Sequence, residues 1–260
     1  MRNMLSLLLF ELKRLVRSRL LWLYGGFSVL VELITIFIYY TYGADTTVIL
    51  TPNAQSIPIQ MLQASLTFSA LFVGLYVGDV YIQDRNNGTI KLVLLRSVSR
   101  LQYFMTRIIG IFMFSLLMTI ISLLAGYLIG VIFFGWGDYF EFYDVVASGA
   151  QGVLYTLLGG VAFSFAYFVF GILALLLALF TERVSMLAMI AAGSTLIGQY
   201  VLLFPSVKQF TIFQQLLFFH IDWFTQSMSH NLINLAVLVG HLIVASGVGY
   251  FLFKKLDLNV

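Results

Sequence analysis

The chain has no cysteine, which removes disulfides, thiolate nucleophiles and cysteine-based metal centres at once. Charge is almost as scarce: 10% of the 260 residues are charged and 61% are hydrophobic. A soluble domain of this length needs far more polar surface to cover itself, so the expected solvent is lipid. No polar stretch is long enough to fold alone, which leaves a single domain over residues 1–260. Internal repeats and low-complexity tracts are missing too. The apolar piece "LSLLLF" is short and runs into charges instead of a small-residue cleavage site, so it is not expected to be a cleavable signal. A nucleophile elbow, an H-E-x-x-H pair and a convincing pair of acids in one loop are all absent, and the expectation is no enzyme and no catalytic residue. His220 and His230 lie ten apart without an acidic or cysteine ligand pattern, so no metal site is expected. Nothing suggests nucleic acid.

What is present is a series of long apolar runs. Crossing the hydrocarbon core takes about 20 residues of helix. Six candidates stand at 20–42, 60–80, 106–134, 149–180, 184–204 and 233–253, and the third and fourth must tilt, kink or emerge. Uninterrupted runs exclude the alternating strands of a β-barrel. The expected fold is an all-α polytopic membrane protein. Gly159, Gly160 and Ser164 in the fourth span, with Ala188 and Ala192 in the fifth, give small-residue faces for packing between helices of the same chain.

Lysine and arginine sort to one side of those spans. Arg2, Lys13, Arg14, Arg17 and Arg19 precede the first, Arg85, Lys91, Arg96, Arg100 and Arg107 flank the second and third, Arg183 precedes the fifth, and Lys254 and Lys255 follow the sixth. Lys208 falls on the other side, so the positive-inside rule places both termini in the cytoplasm. In the first stretch, Leu5, Leu8, Leu9, Leu12, Leu15 and Val16 share one helical face while Lys13, Arg14 and Arg17 lie opposite. That pattern predicts an amphipathic helix over 1–19 in the membrane interface, its bases near anionic lipid head groups.

Between the second and third spans runs "DRNNGTIKLVLLRSVSRLQYF", residues 84–104. Asn86-Asn87-Gly88 is turn chemistry. "SRLQ" at 99–102 matches a capping box, with Ser99 at the N-cap and Gln102 reaching back. A short helix over about 89–96 and a turn at 97–99 are therefore expected before the long third span. A segment with two helix starts, an apolar face and a basic face suits docking into a partner's groove, although it also suits a membrane-skimming connector.

These residues, followed by Arg107-Ile108-Ile109-Gly110, resemble the first cytoplasmic loop of ABC-2-type exporter permeases. Asp84, Gly88, Thr89, Ile90, Ser97, Ser99, Arg100 and Arg107 match that loop by position; Val98 replaces the family's proline, and Arg107 stands where lysine is common. The resemblance extends to the basic interfacial helix, the six spans and the tail "FKKLDL". It implies that the short helix is a coupling helix seated on a separately encoded P-loop ATPase. ATP and magnesium would be held by that partner, since this chain has no G-x-x-x-x-G-K-[ST]. It further implies a second permease copy, identical or a sister, a bacterial plasma membrane, short outer re-entrant helices within 205–232, and an amphipathic peptide, drug or other lipophilic cargo. The expected coupling residues are Asp84, Gly88, Thr89, Lys91, Arg96 and Arg100, with Glu11, Arg14 and Arg17 framing the same interface.

Glu32 and His241 are the acid and the histidine well inside spans, at similar depth. An intramembrane ionisable group is expensive and points to function by default. Substrate-path lining, a clamp, or a proton relay are open, as is a neutral Glu32 held by serine or threonine. The rival functions are a proton-coupled secondary transporter using Glu32 and His241, and a membrane scaffold or immunity subunit that moves nothing.

Overall fold

Ser18 breaks the N-terminal basic stretch, because its hydroxyl accepts from the Leu20 amide and caps a new helix. The computed structural model, which describes residues 2–95 and 98–255, accordingly has α1 at Arg2–Val16 and α2 at Arg19–Tyr42. A loop leads to α3 (Ile57–Ala64), started by Pro58 in its first turn, and then α4 (Leu66–Val77). The chain continues through a π-helical turn at Gly78–Gln83 into α5 (Asp84–Asn86) and α6 (Thr89–Leu94). Next come α7 (Arg100–Phe134), a hairpin of β1 (Tyr139–Phe142) and β2 (Val145–Ser148), α8 (Ala150–Ala178) and α9 (Val184–Gly198), which tightens to 3-10 over Gln199–Leu203. Then α10 (Pro205–Lys208), α11 (Ile212–Thr225) and α12 (Met228–Lys255) complete the described chain.

Six helices are long and apolar enough to cross a membrane: Arg19–Tyr42, Leu66–Asn86, Arg100–Phe134, Ala150–Ala178, Val184–Leu203 and Met228–Lys255. The protein is an α-helical polytopic membrane protein. Its small antiparallel hairpin, pairing Tyr139 with Ser148, departs from an all-α chain; Phe140 and Phe142 anchor it on Ile59 and Ile221. The second span also shifts, from the expected 60–80 to 66–86. Its start is moved by Ser65, whose hydroxyl bonds Leu62 O (2.9 Å) and ends α3. Tyr167 Oη donates to the Leu66 carbonyl at 2.6 Å, meeting the demand that backbone freed by a break in lipid be satisfied.

The helix α8 is the most buried of the six and α12 the least, so α8 is the centre around which α7, α11 and α12 pack. Tyr76 of α4 stacks on Phe114 of α7 with ring centroids 4.2 Å apart. The small-residue faces serve contacts inside the chain: Gly160 meets Leu123 of α7, and Gly74 of α4 lies against Ala188 and Ala191 of α9. A Cβ on Gly74 would stand 2.8 Å from the Ala191 methyl and 3.0 Å from the Ala188 backbone. Gly74→Val is therefore expected to force α4 from α9 and cost about 1–3 kcal/mol, read as a lowered melting temperature in detergent.

Two faces result. One carries α1, residues 84–95, residues 179–183 and the end of α12; it is called the terminal face below. The opposite, hairpin face is closed by residues 44–56 and the β-hairpin, with Asn53 donating to Tyr139 O at 3.0 Å and Gln55 to Gly137 O at 2.7 Å.

Candidate functional site

On the terminal face an ion network sits beneath α6. Arg107, seven residues into α7, is 6% exposed and donates to Glu11 Oε1 (2.6 Å) and Asp84 Oδ2 (2.7 Å), while its guanidinium lies 4.5 Å from the Tyr103 ring centroid. Arg14 bonds Asp84 Oδ2 and Asp79 Oδ2, each at 3.3 Å. Five charges from α1, the π turn, α5 and α7 thus share one knot, with the acids Glu11, Asp79 and Asp84 in excess over Arg14 and Arg107. Burial works against the Arg14 charge, but Asp84, Glu11 and Asp79 outweigh it and hold its pKa above the ordinary value.

The π turn makes the knot possible. Asp79 and Asp84 are five apart, a spacing that does not share a face of an α-helix. An i→i+5 turn stacks residue i+5 over residue i, and one guanidinium then reaches both carboxylates.

Two more arginines tie this knot to neighbouring helix ends. Arg85 donates to the carbonyls of Leu179 (3.2 Å) and Thr181, where α8 ends, and Asn86 to Glu182 O (3.1 Å). Arg100 donates to Lys254 O at 2.6 Å, at the end of α12. Cations on unsatisfied C-terminal carbonyls complement the helix dipole. The terminal ends of α1, α4, α7, α8 and α12 are thereby joined through residues 84–86 and the start of α7.

Above them, Gly88 adopts φ +69°, the left-handed turn expected of it, and launches α6. Ser99 and Gln102 close the expected capping box at the start of α7. In α6 Ile90 points inward, whereas Lys91 and Leu92 are exposed, as is Leu95 just beyond it. Leu92 is 61% exposed and Leu95 75%.

The expected coupling residues therefore separate. Lys91 lies on the outer surface beside Gly88 and Thr89, and Arg100 reaches the α12 end. Asp84 and Glu11 are buried under the surface, because each neutralises Arg107. Arg96 lies outside the described residues. Arg14 turns into the protein instead of lying with Lys13 on a wholly outward basic face, and Arg17 stays exposed. Of the apolar face expected on α1, Leu15 is buried while Leu9, Leu12 and Val16 are exposed. Arg107 and Asp79 were not among the expected site residues; an arginine inside an apolar run and two acids near a basic helix were the available signals.

Glu32 and His241 are not brought together. Glu32 is held within α2, where Ser28 Oγ, one turn earlier, donates to its Oε1 at 3.2 Å; the hydroxyls of Ser28 and Ser122 of α7 are 3.1 Å apart and Ser122 meets Tyr24 Oη at 2.7 Å. Its Oε2 is buried without a partner among the described residues. His241 instead lines a groove with Leu173 and Leu176 of α8, its Nδ1 2.8 Å from Val237 O. Similar depth did not mean neighbouring helices.

A polar cluster under the hairpin face was also unforeseen. Residues 205–232 read as an interfacial aromatic segment, yet α11 packs on α8 and α12 and buries Gln215, His220 and Asp222. Asp222 accepts from Asn234 Nδ2 (3.0 Å) and lies 3.4 Å from His230 Nε2. Burial raises its pKa, an effect that His230, Asn234 and Gln214 reduce. Among the described residues no group of three or more His, Asp or Glu side chains is arranged to hold a metal ion.

A family model described as "Protein of unknown function (DUF2705)" matches residues 29–259. The chain belongs to the DUF2705 family. The match takes in most of α2, all of α3 to α12 and three of the five network residues, Asp79, Asp84 and Arg107, while Glu11 and Arg14 precede it. Over 69 residues, 26% of its length, this DUF2705 protein is also 36% identical to the uncharacterized protein YhcI of Bacillus subtilis (strain 168), and the matched stretch covers 22% of that relative.

Proposed function

We propose that this DUF2705 protein is the membrane-spanning permease subunit of an ATP-driven exporter, energised by a separate P-loop ATPase that docks on α6, and not itself an enzyme. The observation that carries the reading is α6 itself. It is a short helix on a left-handed glycine, it offers Leu92, Leu95 and Lys91 outward, and it is rooted in the Asp84–Arg107–Glu11 knot. Apolar side chains exposed on a face rich in lysine and arginine are costly in water and suit a protein partner. The knot supplies rigidity below, so that displacement of α6 would reach α1, α4 and α7 together. In this reading the terminal face is cytoplasmic, the membrane is a bacterial plasma membrane, a second permease copy completes the pore, and the cargo is an amphipathic peptide, drug or other lipophilic molecule. ATP and magnesium belong to the partner.

The test is purification of the tagged protein co-expressed with its neighbouring genes, with Leu92→Glu/Leu95→Glu as the variant. Exposed changes of this kind shift stability by about 0.5 kcal/mol or less, so the melting temperature is expected to hold while the ATPase is lost. Wild-type preparations without any P-loop ATPase, or a variant that keeps it, would refute docking through α6.

A proton-coupled transporter is the second reading. The unpartnered Glu32 oxygen beside the Ser28–Ser122–Tyr24 hydroxyls favours it, while the distance of His241 from that chain removes one of its two expected groups. It predicts transport without nucleotide and its loss in Glu32→Gln.

A further inference from the structure

Beside the ion network, where α1 hands over to α2, lies a cleft of about 540 Å³ whose lining joins Arg14, Arg17, Arg19 and Asp79 to the apolar Leu20, Leu75 and Val184. Its charge is unbalanced. Arg14 is engaged by Asp79 and Asp84, but neither Arg17 nor Arg19 has an acidic partner among the described residues. Asp79, with 40% of its side chain exposed, is the carboxylate on the wall, set against the guanidinium groups of Arg14, Arg17 and Arg19. The cleft wants an anion.

Its position says which kind. Three candidate spans have an end here, α2 at Arg19, α4 with its π turn at Gln83, and α9 at Val184. Leu20, Leu75 and Val184, each within a candidate span, give the cleft an apolar lining, and the first turn of α2 also exposes Trp22 and Leu23. A free phosphate has no use for an apolar lining. A phospholipid matches both halves, with its phosphate among the arginines and its glycerol and upper acyl carbons against the aliphatic side chains. We propose that this cleft is a specific site for one anionic phospholipid. Because Arg14 belongs to the cleft and to the ion network, a phosphate bound there competes with Asp79 for the guanidinium, and occupancy bears on how the π turn is held.

The experiment uses the full-length protein in detergent, exposed to equimolar phosphatidylglycerol and phosphatidylcholine of identical acyl chains, with retained lipid counted by native mass spectrometry. Two basic residues close to an anionic head group favour binding by a factor on the order of ten or more, so wild type should prefer phosphatidylglycerol by about that factor. Arg17→Gln/Arg19→Gln should bring the preference near parity, and Arg17→Lys/Arg19→Lys should keep most of it. Both pairs are exposed, and an unchanged melting temperature confirms that they fold. Lys254→Gln/Lys255→Gln removes the same charge from the same face away from the cleft and should leave the preference alone. A preference lost equally in that control would reduce the effect to diffuse surface charge and overturn the site. So would displacement of the lipid by inorganic phosphate at matched concentration, which would make the cleft a simple anion site. No ATPase enters the assay, so its outcome is separable from that of the α6 docking test.

Discussion

Arg107→Met should destabilise the protein by about 3–5 kcal/mol, the range for removing one partner of a buried ion pair. The loss does not come from the attraction alone. A buried pair roughly breaks even against an apolar replacement, but deleting one member strands the other in a medium that cannot solvate it. Here Glu11 loses its ion-pair partner outright and Asp84 loses the closer of its two, and each of the three side chains is at most 10% exposed. Arg14 remains, at 3.3 Å from Asp84 and already shared with Asp79, so it cannot take over Glu11. The check is a series of thermal melts in one detergent. Arg107→Met should fall furthest, and Arg107→Lys should fall less, because a point ammonium reaches one carboxylate where the guanidinium fork reaches two. Adding Glu11→Gln and Asp84→Asn to Arg107→Met should recover much of the loss. If the triple variant melts no higher than Arg107→Met, stranded carboxylates are not the cause, and lost packing of the Arg107 stem and its stacking on Tyr103 would be.

How far the sequence foretold this arrangement depends on the range of the signal. Local signals carried through: Gly88 takes the left-handed turn, Ser99 and Gln102 close their capping box, and the long apolar runs become the long helices. Of the small residues expected to pack within the chain, Gly159, Gly160 and Ala188 do so, and on α9 Ala191, next to the expected Ala192, meets Gly74, because close approach needs missing side chains wherever it occurs. What failed needed information that periodicity does not hold. The π turn re-phases Asp79 against Asp84, and ordinary helical spacing puts them on different faces. Glu32 and His241 share a depth, which can be counted along the spans, but azimuth and neighbour order cannot be counted, and α2 packs on α7 while α12 packs on α8. Arg85 reads as a topology signal and Arg100 as a coupling residue, and only the assembled fold shows both on the carbonyls that end α8 and α12. The polarity of 205–232 argues against a span but does not foretell that one face of α11 is buried, where Gln215, Asp222 and Asn234 answer one another.

One side chain in that buried segment goes unanswered, and it should govern the acid limb of stability. His220 of α11 is fully buried, lies edge-on to the Phe163 ring at 5.4 Å, and has no hydrogen-bond partner for either ring nitrogen among the described residues. Burial lowers its pKa to about 3, against an ordinary value of 6.5. The folded form therefore refuses a proton that the unfolded form accepts. Its stabilising contribution is complete above pH 6.5 and drains away as the pH falls toward 3, by about 1.4 kcal/mol per pH unit while the two forms differ by a full proton. Asp222 works in the opposite sense. Its raised pKa means that protonation favours the folded form, with that contribution full in acid and lost as the pH rises through the raised value. Melting temperature followed against pH separates the two. Wild type should fall steeply below pH 6.5, Asp222→Asn more steeply still because the opposing carboxyl is gone, and His220→Met should lose most of the slope. At neutral pH His220→Met should melt at or above wild type, since methionine fills the space and removes the unpaired nitrogens. A His220→Met profile that tracks wild type through acid would mean that the ring meets water in the folded protein, and that α11 stands looser against α8 than their packing implies.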